Sequence, residues 1–286
     1  MVFMLIERSL VDLFGNNEMS LRLFPLLCGI AALLLFFLLT RSILPRGAFL
    51  LALALFAVID PLVYYSAELK QYSTDLAVMI ALLFYSEEFI KEKCCWIKAG
   101  VLALLGAAVL WLSNAMVFML ASMAAVFLWR AVRRRDWAEL LRLGSAFFVW
   151  AASFAAVYHL SLGHMVGNDI LKATCEGALF KGSLFSGDAL AWLWQVVSES
   201  FRNPLGLAWP LAGAVLFVVG VVSLVRNNSA RAALLVLPIF FALVAGWLGK
   251  YPFRGRVLLF LVPCYLVPIA AGVEAIAAKI GNKRSH

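Results

Sequence analysis

Apolar runs of about 20 residues follow one another along this chain, separated by short polar connections, and within each run the apolar positions are continuous rather than alternating. About 20 apolar residues in a helix cross a bilayer core of about 30 Å, whereas a barrel strand would alternate over about ten. The pattern therefore predicts an all-α, polytopic transmembrane protein with about nine crossings. They fall near residues 22–43, 47–66, 73–90, 97–113, 114–131, 143–163, 205–226, 229–249 and 256–278. The fourth and fifth are divided only by Ser113 and Asn114, and their combined length favours a hairpin over one long run.

Two parts depart from this rhythm. Residues 1–21 carry Glu7, Arg8 and Asp12 among apolar positions and stop at Gly15-Asn16-Asn17, which predicts an amphipathic interfacial helix rather than a crossing or a signal peptide. Residues 22–286 form the transmembrane domain, with an outer loop at 164–204. Within that loop, residues 188–201 (DALAWLWQVVSESF) are amphipathic and are predicted to lie flat on the membrane surface.

Candidate chemistry concentrates in residues 60–75 (DPLVYYSAELKQYSTD), a polar and aromatic island between two apolar runs. Continued as a helix, the island places Tyr65, Glu68, Tyr72 and Asp75 at i, i+3, i+7 and i+10, so two phenols and two carboxylates share a face. Lys70 then points elsewhere. Glu68 and Asp75 would stand about 10 Å apart along the axis, so each acts separately. The same residue types also suit an interfacial aromatic belt with solvated charges, and Asp75 also suits a helix N-terminus. Asp60 lies within an apolar run, where a carboxylate costs about 2.5 to 3.5 kcal/mol at mid-bilayer. With Pro61 it reads either as a helix break or as an intramembrane functional group. Near the last crossing, residues 250–256 (KYPFRGR) place Lys250, Arg254 and Arg256 together, a set suited to a lipid phosphate or to snorkelling at the interface.

Composition bears out the membrane reading. With 64% hydrophobic and 14% charged residues and a mean hydropathy of +0.95, the chain has too little polar surface for a soluble globule. Its net charge of +8 resides in the short connections, as topology determinants do, and so does not imply nucleic acid. Placing the arginine-rich connection at 130–142 in the cytoplasm puts 15 of the 24 lysines and arginines on that side. The island, the long loop and residues 250–256 then share the outer face. The five cysteines have neither metal-ligand spacing nor a disulfide framework. His159, His164 and Asp169 match no standard ligand spacing, and neither a phosphate-cradling glycine loop nor a nucleophile elbow occurs.

Three segments carry a resemblance: residues 14–23 (FGNNEMSLRL), 65–75 (YSAELKQYSTD) and 251–256 (YPFRGR), the last followed by 258–261 (LLFL) and Pro263. In this order and sidedness they resemble family 39 glycosyltransferases, the GT-C membrane enzymes related to protein O-mannosyltransferases and the aminoarabinose transferase of lipid A. The resemblance implies transfer of a sugar from a polyprenyl-phosphate carrier to an acceptor at the outer membrane face, usually with inversion, in a bacterial plasma membrane. For that reaction Asp75 and Glu68 are the candidate catalytic carboxylates within this chain, and Lys70, Arg254 and Arg256 the candidate donor-phosphate ligands. Tyr65, Tyr72 and Glu18 then contact substrate, and no metal or other cofactor is required. The resemblance also implies a further N-terminal crossing and a loop whose acidic residue serves as the base, both ahead of the motif at 14–23, so Met1 is expected to be a truncated or misassigned start. Two other classes fit parts of the chain: a transporter or flippase coupled through Asp60 and the break at Pro61, and a noncatalytic membrane scaffold.

The charge distribution gives a topological prediction. Lys70→Cys is labelled by an impermeant thiol reagent in intact cells and Arg134→Cys is not; labelling of Arg134→Cys would invert the arrangement.

Overall fold

The computed structural model describes residues 2–162, 179–180, 182 and 187–283, and among these it contains helices and no strand. Twelve α-helices run in chain order. They are α1 (Val2–Phe14), α2 (Glu18–Ile43), α3 (Arg46–Val58), α4 (Asp60–Ser66), α5 (Tyr72–Phe89), α6 (Trp96–Leu112), α7 (Val117–Arg133), α8 (Trp137–Val157), α9 (Gly187–Arg202), α10 (Pro210–Asn227), α11 (Ser229–Trp247) and α12 (Val262–Lys283). Short 3₁₀ turns at Asn114–Met116 and Gly255–Leu261 lead into α7 and α12. The protein is an all-α polytopic membrane protein.

Helical units occupy all nine predicted positions, α3 and α4 together forming the second. Six are long and apolar enough to cross a membrane, and the α3–α4 pair, bent by 55°, makes a seventh. The other two fall short for visible reasons: α6 has 17 residues, and α5 carries Asp75, Glu87 and Glu88. Local chemistry sets the boundaries. Asn17 and Ser20 close a reciprocal capping box that starts α2, Asp136 accepts from the Glu139 N–H to start α8, and Asn228 accepts from the Ala230 and Arg231 N–H groups to start α11. Pro61 at the first turn of α4 has no N–H to extend α3, and the chain bends at Ile59.

One boundary changes. The N-terminal helix stops at Phe14, at the turn that Gly15-Asn16-Asn17 predicts, but residues 18–21, assigned by sequence to the interfacial segment, begin α2. The island turns the chain rather than continuing as one helix: α4 ends at Ser66, residues 67–70 bend, and α5 starts at Tyr72. The Ser73 hydroxyl donates to the Tyr65 carbonyl at 2.7 Å, so an acceptor that a continuing helix would offer to a backbone N–H is taken by a side chain. Within the segment at 164–204, α9 buries Trp192, Val196 and Phe201 and exposes Leu190 and Trp194, as an amphipathic helix does. His164, Asp169 and Cys175 lie outside the described residues.

At the centre stands α12. Every residue from 258 to 272 is buried, so the first half of this helix is apolar all round and enclosed by its neighbours, whereas residues 276–280 are exposed. Hydrophobic transfer gives little drive between helices already in lipid, and close backbone approach through small residues takes its place. A Cβ at Gly220 of α10 would lie 1.7 Å from the Pro268 carbonyl oxygen of α12, and one at Gly272 would lie 2.0 Å from the Leu216 carbonyl oxygen. Glycine on both helices is thus the condition for their contact.

The connections gather at two ends. At one, Tyr65, Tyr72, Phe118, Asn203, Tyr251 and Gly255 lie near one another; at the other, Glu87 meets Arg231, Lys93 meets Asp136, and Cys94 meets Glu139. Gly220→Val is expected to lower stability by about 1 to 3 kcal/mol through overpacking, whereas Gly100→Ala, with open space around it, is neutral. Thermal unfolding in detergent checks this, and equal melting temperatures would remove α10–α12 packing as a determinant.

Candidate functional site

The bend after α4 brings together what helical spacing alone would only align. Tyr65 and Tyr72 meet edge to face with ring centroids 4.9 Å apart, and Tyr64 continues the cluster at 5.0 Å from Tyr65. Such pairs are worth about 0.5 to 1.5 kcal/mol beyond buried area. The turn is closed by the Ser73 bond to Tyr65, so the same hydroxyl that ends the helix fixes the pair.

A second segment reaches this cluster from the far end of the sequence. Gly255 has a φ of +56°, open to glycine at little cost, and the 3₁₀ turn that follows carries Arg256 to 6.0 Å from the Tyr72 ring centre. Tyr251 fixes the loop from within: its hydroxyl donates to the Val257 carbonyl at 2.8 Å, and its ring packs on Phe118 at 4.8 Å. Burial, and then the nearby Asp75 and Tyr72, push the Tyr251 phenol well above its ordinary pKa, so it stays a neutral donor.

Asp75, in the first turn of α5, is the group these elements surround. The residue as a whole is half-buried, yet its Oδ1 is shut off from solvent and has no hydrogen-bond partner. The Ser113 side chain, in the turn before α7, lies beside the carboxylate, and its own Oγ is likewise buried without a hydrogen bond of ordinary geometry. An unsatisfied buried polar atom costs about 1 to 3 kcal/mol, so two at one place mark a spot where a further donor is accommodated.

The remaining predicted residues sit differently. Half-buried Glu68 faces the hydroxyl of exposed Tyr64, which also lies near Arg22, while Glu18 pairs with Arg22 at 3.1 Å with both side chains largely exposed. Lys70 and Arg254 are exposed, and neither side chain makes a hydrogen bond or ion pair among the described residues. The structure therefore unites Tyr65, Tyr72, Asp75 and Arg256, and leaves Glu68, Glu18, Lys70 and Arg254 without a bond to that group among the described residues.

Three participants were not singled out by sequence. Ser113 read only as a polar turn, although a hydroxyl interrupting an apolar run was itself the signal. Tyr251 read only as part of a motif. Glu7 read as a charge on an interfacial helix, yet it is 6% exposed and neither of its carboxylate oxygens has a partner among the described residues. Burial raises its pKa. It lies near Cys28, which accepts from the Thr74 hydroxyl at 3.5 Å next to Asp75 in sequence. Among the described residues no three His, Cys, Asp or Glu side chains group as a metal set.

A secluded carboxylate beside neutral hydroxyls, with a guanidinium held over an aromatic ring, can accept a proton at one point and neutralise an anion at another. The sequence profile described as dolichyl-phosphate-mannose-protein mannosyltransferase matches residues 1–160, more than half of the 286. That match includes the motifs at 14–23 and 65–75 and also Ser113, but not residues 251–256. Neither the curated proteins nor the solved structures yield a significant match. By that match the chain belongs to the dolichyl-phosphate-mannose-protein mannosyltransferase family, whose members point to glycosyl transfer from lipid-linked sugars.

Proposed function

We propose that the protein transfers a sugar from a polyprenyl-phosphate carrier to an acceptor hydroxyl at the outer face of a bacterial plasma membrane. The observation that carries this reading is the convergence of Asp75, Tyr72 and Arg256 from two segments distant in sequence. Family membership supplies the reaction class, and the chemistry of these side chains supplies the roles.

Asp75 takes the acceptor hydroxyl proton as the oxygen bonds to the anomeric carbon. The bond from that carbon to the phosphate oxygen breaks, and the carrier leaves as polyprenyl phosphate with the electron pair. Charge that builds on the departing phosphate is met by Arg256, whose fork donates two hydrogen bonds in a fixed geometry. Arg254 and Lys70, exposed nearby in sequence to the two site segments, extend the cationic approach for the carrier. Tyr65 and Tyr72 present stacking surface to the sugar, and Ser113 steers the Asp75 carboxylate. Glu68, facing Tyr64, and Glu18, paired with Arg22, are assigned to contact with substrate.

A transporter would route charge through the bilayer. Asp60 stands at the bend between α3 and α4, but the other acidic and basic groups cluster at the two ends, which favours the transferase.

Two measurements in the full-length protein test the assignment. Asp75→Asn is expected to abolish transfer while insertion and melting temperature persist; wild-type turnover would reduce Asp75 to a helix-terminal residue worth about 1 kcal/mol. Arg256→Ala is expected to weaken polyprenyl-phosphate-sugar binding at least tenfold, which corresponds to about 1.4 kcal/mol, with Arg256→Lys retaining part of the affinity. Equal donor affinity in wild type, Arg254→Ala and Arg256→Ala would leave both arginines as interfacial anchors.

A further inference from the structure

At the end of the bundle opposite Asp75, the termini of α5, α7 and α11 line an open cavity of about 340 Å³ that shares no residue with the candidate transferase site. Five cations line it, Lys91, Arg130, Arg133, Arg134 and Arg231, with one carboxylate, Glu87. The sequence explains the cations only as topology markers; their convergence on one cavity is a property of the fold.

How much of that charge is already neutralised decides what the cavity can hold. Glu87 is buried and its Oε2 is met at 2.9 Å by both Nε and Nη2 of Arg231, so the lining carboxylate is paired, and Glu139 and Glu87 also lie near enough to Arg130 to act on its charge. Lys91 pairs with Glu88 at 2.6 Å on the exposed rim, and Arg134 approaches Glu139 no closer than 3.8 Å. Arg130 is half-buried and makes no hydrogen bond or ion pair among the described residues. Arg133 lies 5.5 Å from the Trp129 ring centre and has no carboxylate partner among the described residues. Two guanidinium groups one helical turn apart thus face the cavity with their donors open. The backbone amides at the start of α11 do not add to them, because Asn228 accepts from both Ala230 and Arg231.

We propose that this cavity binds a phosphate ester, engaged by Arg130 and Arg133. Guanidinium pairs match phosphate oxygens in number and spacing, and the volume suits one headgroup rather than a polymer. Trp129, Ile90 and Ala230 give the cavity an apolar wall beside the cations, which suits the headgroup of an anionic phospholipid at the end of membrane-crossing helices. The same phosphate chemistry is offered by a free phosphate ester from the aqueous side.

The test is ligand titration of the full chain in detergent, followed by native mass spectrometry, with phosphatidic acid, phosphatidylcholine and inorganic phosphate as probes. Wild type is expected to bind phosphatidic acid at least tenfold tighter than phosphatidylcholine, and the double variant Arg130→Gln/Arg133→Gln to lose that preference. Arg130→Lys/Arg133→Lys, which keeps the charge, retains part of it, and Arg41→Gln, a cation outside the cavity, changes nothing. If millimolar inorganic phosphate displaces the lipid, the site takes the free ester as well; if it does not, the lipid headgroup is the ligand. Because the contact is ionic, the wild-type preference must also shrink as salt rises, a readout that needs no variant to fold. A preference that survives in Arg130→Gln/Arg133→Gln, that falls equally in Arg41→Gln, or that is indifferent to salt overturns the proposal.

Discussion

The candidate site depends on the burial, on every side, of the first half of α12. A helical segment whose surface is apolar all round has only one place in a bundle, and the close approach of Gly220 and Gly272 sets its height against α10. The 3₁₀ turn that precedes α12 packs on α5, so fixing α12 fixes the position at which Arg256 meets Tyr72. Tyr251, braced between Phe118 and the Val257 carbonyl, holds the connection rigid. The polar site thereby inherits its geometry from an apolar core, which serves a reaction that requires angström-level placement.

Charge is segregated along the same axis. One end carries the phenols, Asp75 and Arg256; the other carries the Glu87–Arg231 pair, the Lys93–Asp136 pair and the arginines of α7. α5 joins the two, with Asp75 in its first turn and Glu87 in its last. A helix with carboxylates at both ends is a poor lipid-facing span and a good interior one, and among the described helices it is heavily buried for that reason. The N-terminal carboxylate is left with an unsatisfied oxygen, while the C-terminal one is matched by an arginine. That asymmetry separates a group available for chemistry from one held in structure.

Much of the fold was legible because lipid allows so few solutions. The positions of the nine helical units followed from apolar runs, and Asn17, Asp136 and Asn228 mark helix starts by ordinary capping chemistry. Whether the island continues as helix or turns stayed open in the sequence, because no propensity records that the Ser73 hydroxyl takes the Tyr65 carbonyl. Asp75, Tyr65, Tyr72 and Arg256 were named from sequence, but spacing could not join Arg256 to Tyr72; only the motif order did so. Ser113 and Glu7 escaped because their significance is the absence of partners among the described residues, which appears only after the neighbours are in place. The basic cavity escaped for a related reason: five cations in connections look alike until one of them is seen to pair with Glu87, the one lining carboxylate among the described residues.

The central claim is that the segment before α12 and the start of α5 form one donor-binding unit. A double-mutant cycle on donor binding, combining Tyr72→Leu with Arg256→Ala, measures that directly. If the ring and the guanidinium act together on one ligand, the two losses fall short of additivity, with a coupling of at least about 0.5 kcal/mol. Strict additivity, or donor affinity untouched by either change, would contradict the account and separate the two segments functionally.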